Sequence, residues 1–189
     1  ERSNLGLRAL DGVGDTRART LRDAGLGSRT GIAAAEPSTL AELDGLGEST
    51  VERITASARA VADGEVVRRT DAQLPSGDPV FVDIETDGLS PTITWLIGVL
   101  DTAGEEATYR SFVQRDPDDP GGAVREFLSW YDAEGDSRPV VAYNGWRFDF
   151  QVLGEHVAEY CPAFEPIWDA MDRFDPYRWA VRDDNAVLP

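Results

Sequence analysis

Asp83 and Glu85 stand two residues apart in Val80-Phe81-Val82-Asp83-Ile84-Glu85-Thr86-Asp87-Gly88-Leu89. Residues two apart on a strand face one side, so an extended backbone presents both carboxylates together and packs Ile84 on the other face. Adjacent carboxylates repel and raise each other's pKa unless a cation sits between them. Oxygen donors of this kind suit Mg2+ or Mn2+. The alternative is an exposed strand with two solvated acids, made less attractive by the apolar run that leads into the pair.

A second chemical signal lies near the start of the chain. Leu10-Asp11-Gly12-Val13-Gly14 recurs as Leu43-Asp44-Gly45-Leu46-Gly47, an offset of 45 − 12 = 33 residues, and such repeats define architecture before anything else does. Glycines permit positive φ and leave the backbone bare. Unpaired N–H groups at the start of a following helix can then hold a phosphate. Val13 and Leu46 plug each hairpin into the core. Arg17 and Arg19 are expected to add phosphate contacts after the first hairpin. Glu48 and Glu52 occupy that region in the second copy, so Ser49 and Thr50 are the expected donors there. Without a ligand, the same pattern is two glycine turns in a small helical bundle.

These groups need elements to position them. In the first 64 residues, Val51, Ile54, Ala58 and Val61 mark one buried helix face that Gly64 ends. Pro37-Ser38-Thr39-Leu40 reads as a helix start with Ser38 as cap. Residues 65–79 read as a linker, their latter part rich in turn formers. Beyond lie expected strands at 80–82, 95–100 and 107–113. A helix carries Val124, Phe127, Leu128 and Tyr131. Then come a strand at 139–143 and a helix with Phe150, Leu153 and Val157 on one face. This is an α/β layout with a mixed sheet.

The doubled helix, Gly-hydrophobic-Gly turn and helix resembles the helix-hairpin-helix family as a tandem pair, which implies DNA binding through Gly12, Gly14, Gly45 and Gly47. From residue 80 the chain resembles the ribonuclease H-like superfamily, and within it the DEDD 3′→5′ exonucleases. Asp83-Ile84-Glu85-Thr86 matches the first motif and Asn144 through Asp149 the second, Asn-x-x-x-Phe-Asp. The wording is closest to the YprB-like branch and to proofreading domains of family B DNA polymerases. The resemblance implies a two-metal phosphodiesterase using Mg2+ or Mn2+, with Asp83, Glu85 and Asp149 as catalytic metal ligands. It also implies substrate contacts from Thr86, Leu89 and Asn144. Leu89 is similar to the wedge that members place against a terminal base; core packing is its other reading.

The family's third motif, a fourth Asp preceded by His or Tyr, has no match. The sole His, His156, reads as a helix-face residue. Asp169, Asp172 and Asp175 read as a solvated acidic helix face. The missing helix is expected beyond Pro189, leaving the α/β domain (80–189) incomplete and this chain able to bind metal better than it turns over substrate. Starting at Glu1, the sequence reads as a fragment or excised piece.

Composition sets the context. The 35 acids against 18 basic residues give a net charge of −17, and every basic residue is Arg. That pattern points to an extreme halophile, so the acidity reports on the solvent more than on the ligand. Residues 1–64 carry net −2 (8 − 10) and residues 65–189 net −15 (10 − 25), an asymmetry expected of two units with different partners. One cysteine excludes a disulfide framework and a cysteine zinc cluster. No membrane span or signal peptide is evident, so a soluble, cytoplasmic protein is expected. The expected function is a DNA nuclease; the rivals are a non-enzymatic DNA-binding adaptor and an RNA-processing nuclease.

Overall fold

A computed structural model describes residues 2–135 and 137–189. The chain divides into two units, one of residues 1–72 with 180–189 and one of residues 73–179.

The first unit contains helices Asp15–Asp23 (α1), Arg29–Ala34 (α2), Pro37–Ala41 (α3) and Glu48–Asp63 (α4). The repeat in sequence is a repeat in backbone. Gly12 and Gly45 hold φ of 83° and 78°, and Gly14 and Gly47 are the N-caps of α1 and α4. Val13 and Leu46 are buried with Leu21, Ile32, Leu40, Val51 and Ile54 in one core. Ser38 is not the cap of α3: Glu36 holds that position and Pro37 starts the helix, because a missing N–H costs nothing at the first helical position. Gly64 ends α4 in the left-handed region at φ 71°. The chain then turns back as Val67–Arg68 (β1), which pairs antiparallel with Ala186–Val187 (β7). Residues 67–68, in the stretch read as linker, thus form a strand. Their partner lies more than a hundred residues away, beyond the reach of any local pattern.

The second unit is built on a five-stranded mixed sheet. Its strands are Val80–Thr86 (β2), Thr94–Asp101 (β3), Thr108–Val113 (β4), Val140–Val141 (β5) and Arg173–Phe174 (β6), in the order β4-β3-β2-β5-β6. The pairs β2/β3 and β3/β4 are antiparallel, whereas β2/β5 and β5/β6 are parallel. Gly122–Trp130 (α5), Asp149–Tyr160 (α6) and Glu165–Ala170 (α7) complete the unit. The inward residues of β2 and β3 (Val80, Val82, Ile84, Ile97 and Val99) share a core with Phe127, Leu128, Phe150 and Leu153 from α5 and α6. Phe112, Trp130 and Tyr131 ring Phe127 at centroid distances of 5.8–6.4 Å. The strand expected over 139–143 is cut to two residues because Asn144 takes φ 59° and bends the chain away.

Candidate active site and nucleic-acid interface

Along β2 exposure alternates: Val80, Val82 and Ile84 are buried, while Phe81, Asp83 and Glu85 face out. The two carboxylates therefore share the open face of the sheet. Asp83 pairs across β3 with Gly98, where a side chain would meet Tyr109 Oη at 3.2 Å. Gly98 thus leaves room beside Asp83 in an open cleft of about 390 Å³ lined by Phe81, Asp83, Glu85, Leu96 and Tyr109.

Asp149 arrives from the first turn of α6 and is 8% exposed. Burial pushes its carboxyl above the usual range, and the charges of Asp83 and Asp175 push the same way; its own N–H and that of Ile84 oppose them. Asp83 and Asp149, distant in sequence, are thus brought within electrostatic reach. No group of three His, Cys, Asp or Glu among the described residues stands close enough to hold a metal ion outright.

The loop before Asp149 is locked by a residue that sequence reasoning misplaced. Asp175 does not lie on a solvated helix face with Asp169 and Asp172. It follows β6, is 3% exposed, and accepts N–H bonds at both oxygens. Oδ1 takes Asn144 N (2.8 Å), Tyr177 N (2.9 Å) and Arg178 N (3.2 Å); Oδ2 takes Trp146 N (3.3 Å). The legible signal was Asp175-Pro176, a cap followed by a proline at the first helical position. Gly145 is a second constraint, since a Cβ there would stand 2.7 Å from Ala142 Cβ and 2.9 Å from Phe150 Cε2. Asn144 is left-handed, and its Oδ1 is buried with no hydrogen-bond partner.

The loop after Glu85 is equally organised. A register shift falls between Glu85 and Thr86, and the ladder ends one pair later at Thr86 with Thr94. The Thr86 hydroxyl donates to Gly88 O at 2.8 Å, so it serves the loop. Asp87 accepts from Thr92 N (2.9 Å), Thr92 Oγ1 (2.8 Å) and Ile93 N (3.2 Å). Leu89 is 94% exposed at the tip, so it is not a core residue. It lines a cleft of about 290 Å³ with Pro91, Arg147, Phe148 and Gln151. His156 is buried and bonds Thr94 Oγ1 at 2.9 Å and Pro91 O at 3.3 Å, pinning α6 to β3 and this loop.

In the first unit, Arg17 straps the hairpins together: Nη1 donates to Gly12 O at 2.8 Å and Nε to Gly45 O at 3.4 Å. The guanidinium expected on phosphate is thus engaged with backbone, and it makes one surface of two hairpins. Arg19 and Ser49 are exposed and Thr50 half-exposed. Gly14 and Gly47 have nothing within 4 Å of a built Cβ, so the N–H groups behind them are open to approach. Asp15 and Glu48 begin α1 and α4; they stabilise the helix dipoles and oppose an anion. Arg8 offsets one of them, at 3.3 Å from Asp15.

No helix among the described residues is long and apolar enough to cross a membrane. A tandem helix-hairpin-helix family model of the SAM-like class matches residues 5–60. The DNA repair and recombination protein RadA of Methanoculleus marisnigri is 29% identical over 147 residues, covering 72% of this chain; the chain spans 45% of that relative's length. Escherichia coli Exonuclease I in complex with a dA16 oligonucleotide is similar at TM-score 0.40 and 19% identity, over 58% of this chain and 31% of that one. The family model of the RNase_H superfamily matches residues 80–187, more than half of the sequence, and the chain belongs to that superfamily.

Proposed function

We propose that this chain is a divalent-metal-dependent nuclease, a 3′→5′ exonuclease of the DEDD type acting on DNA held by the helix-hairpin-helix unit. The observation that carries the reading is the meeting of Asp83 and Asp149: carboxylates from a strand and a helix so placed that one charge disfavours the other. The donor set is all oxygen and self-repelling, which fits Mg2+ or Mn2+. Mg2+ commonly takes one or two carboxylates and fills its shell with water and substrate phosphate, so the lack of a ready three-ligand cluster is no obstacle. Asp83 and Asp149 would hold the ion, with Glu85 beside them. Bound there, it would polarise a phosphoryl oxygen and acidify a water.

The other residues serve position. Asp175 and Gly145 fix the turn that delivers Asp149, and Asn144 carries an unpartnered Oδ1 beside it. The cleft between Leu89 and Arg147 suits a strand end. DNA rather than RNA is favoured by the relative named as a DNA repair and recombination protein. A second reading, a DNA-binding adaptor without activity, is supported by the tandem helix-hairpin-helix match over residues 5–60, which calls for no cleavage site.

The test uses single-stranded DNA labelled at either end, in molar KCl with Mn2+. A nuclease shortens the strand slowly from its 3′ end and stops with EDTA. Asp149→Asn removes that activity, a loss beyond the roughly 10–100-fold typical of an outer-shell partner. DNA binding with neither cleavage nor Mn2+ binding establishes the adaptor. Faster digestion of a competing RNA overturns the DNA assignment.

A further inference from the structure

The first unit holds a concave site that the hairpins do not account for. Gly64 turns the chain after α4, so β1 runs back beside the helix. Glu52, Thr55, Ala56 and Arg59 fall at i, i+3, i+4 and i+7 along one stripe of α4. Facing them are Val67, Arg68 and Arg69, and together with Pro37 they enclose a cleft of about 340 Å³. Three arginines line it with the single carboxylate of Glu52, in a chain of net charge −17; Arg68 Nη2 donates to Ala72 O at 2.6 Å.

Two features mark the cleft as a receptor rather than an internal ion-pair network. Arg59 is exposed and makes no ion pair or hydrogen bond among the described residues. Thr55 is only 5% exposed, yet its Oγ1 has no hydrogen-bond partner. A buried hydroxyl without a partner is costly, and helical threonine has two accessible χ1 wells, so rotation can offer this hydroxyl to a ligand in the cleft. Arg69 is differently placed: it pairs with Asp184, which also lies 3.5 Å from Arg53. That pair holds Arg69 in position at the rim and leaves Arg59 the unneutralised charge.

We infer that the cleft between α4 and β1 is a second phosphate site, separate from the hairpins, and that it takes a backbone phosphate of a nucleic-acid strand. The planar fork of Arg matches phosphate oxygens bidentately, and Thr55 supplies one hydroxyl donor below it. The site rests on the cleft itself. Only its source, a strand rather than a free phosphate compound, rests on the reading of this unit as a DNA module.

The test measures binding of fluorescein-labelled DNA to the full chain by anisotropy across a KCl series, and binding of inorganic pyrophosphate by calorimetry. Arg59 is exposed, so Arg59→Gln leaves the fold intact. Arg59→Gln is expected to weaken DNA binding about tenfold and to reduce the slope of log affinity against log salt by about 0.9, one phosphate contact. Arg59→Lys keeps the slope and loses part of the affinity, and Thr55→Val weakens binding without changing the slope. If pyrophosphate binding needs Arg59 while DNA binding does not, the phosphate site stands and its strand source is overturned. If no DNA binds but pyrophosphate does so through Arg59, the DNA-module reading fails and the site survives. If Gly14→Val weakens DNA binding while Arg59→Gln changes neither ligand, the hairpins stand and the site is overturned.

Discussion

The helical unit and the α/β unit place their chemistry in different parts of the chain. In the helical unit the proposed chemistry is carried by backbone: two glycines with φ near 80° and two glycine caps, repeated with the same geometry. Side chains at the equivalent positions differ, Val13 against Leu46 and Thr16 against Ser49. In the α/β unit the proposed chemistry rests on single carboxylates that come from β2 and α6 and have no second copy. A site made of N–H groups tolerates an acidic surface. A site made of side chains depends on each one and on the turn that aims it.

The largest stability effect expected lies in the α/β unit. Phe127 is fully buried and in contact with Phe112, Trp130 and Tyr131. Phe127→Ala should cost about 3–5 kcal/mol, read by denaturant unfolding. A cost below 1 kcal/mol would show that this core is loosely packed.

Next comes Asp101, 8% exposed, bonded by Arg138 at 2.7 Å and Ala103 N at 3.1 Å. Burial alone would raise its carboxyl, but the Ala103 N–H, Arg138 and Arg110 outweigh burial and hold it below the ordinary carboxylate value. A lowered folded pKa contributes stability above the unfolded value that is lost as pH falls through the folded one. Asp101→Asn should cost about 1.5–3 kcal/mol at neutral pH and flatten the acid limb of the stability curve. An unchanged limb would contradict the assignment.

The helical unit sharpens the contrast through two glycines of one hairpin. Gly12→Ala should cost about 1–2 kcal/mol because φ is 83°. At Gly14, φ is −86° and nothing beyond its chain neighbours lies within 4 Å of a built Cβ, so Gly14→Val should cost only the difference between glycine and valine as an N-cap, about 1 kcal/mol. It should nevertheless weaken DNA binding more than Arg22→Ala, because it covers the N–H groups. Equal losses would mean that side-chain charge, not backbone, holds the strand.

What was legible in the sequence follows the same division. The 33-residue repeat and the alternation through Asp83 and Glu85 are periodic, and each appears in the structure as a matching backbone feature. The helix through Phe127 is similarly plain. Asp175 was not legible in that way: its spacing of three from Asp172 imitates a helix face, whereas its bonds reach back to Asn144 and Trp146 across the sheet. The strap that Arg17 makes between Gly12 O and Gly45 O was not legible, because the sequence cannot show that the two hairpins lie side by side. The pairing of Val67–Arg68 with Ala186–Val187 is set by long-range contact. Asp83, Glu85 and Asp149 as ligands remain part of the proposal.

The central claim is that Asp83 and Asp149, brought together from β2 and α6, share a divalent cation. Isothermal titration of Mn2+ into the full chain and into Asp83→Ala and Asp149→Asn tests it directly. The account predicts binding by the unsubstituted chain that is lost in both variants, with their circular dichroism unchanged. Undiminished Mn2+ binding in Asp83→Ala would contradict it.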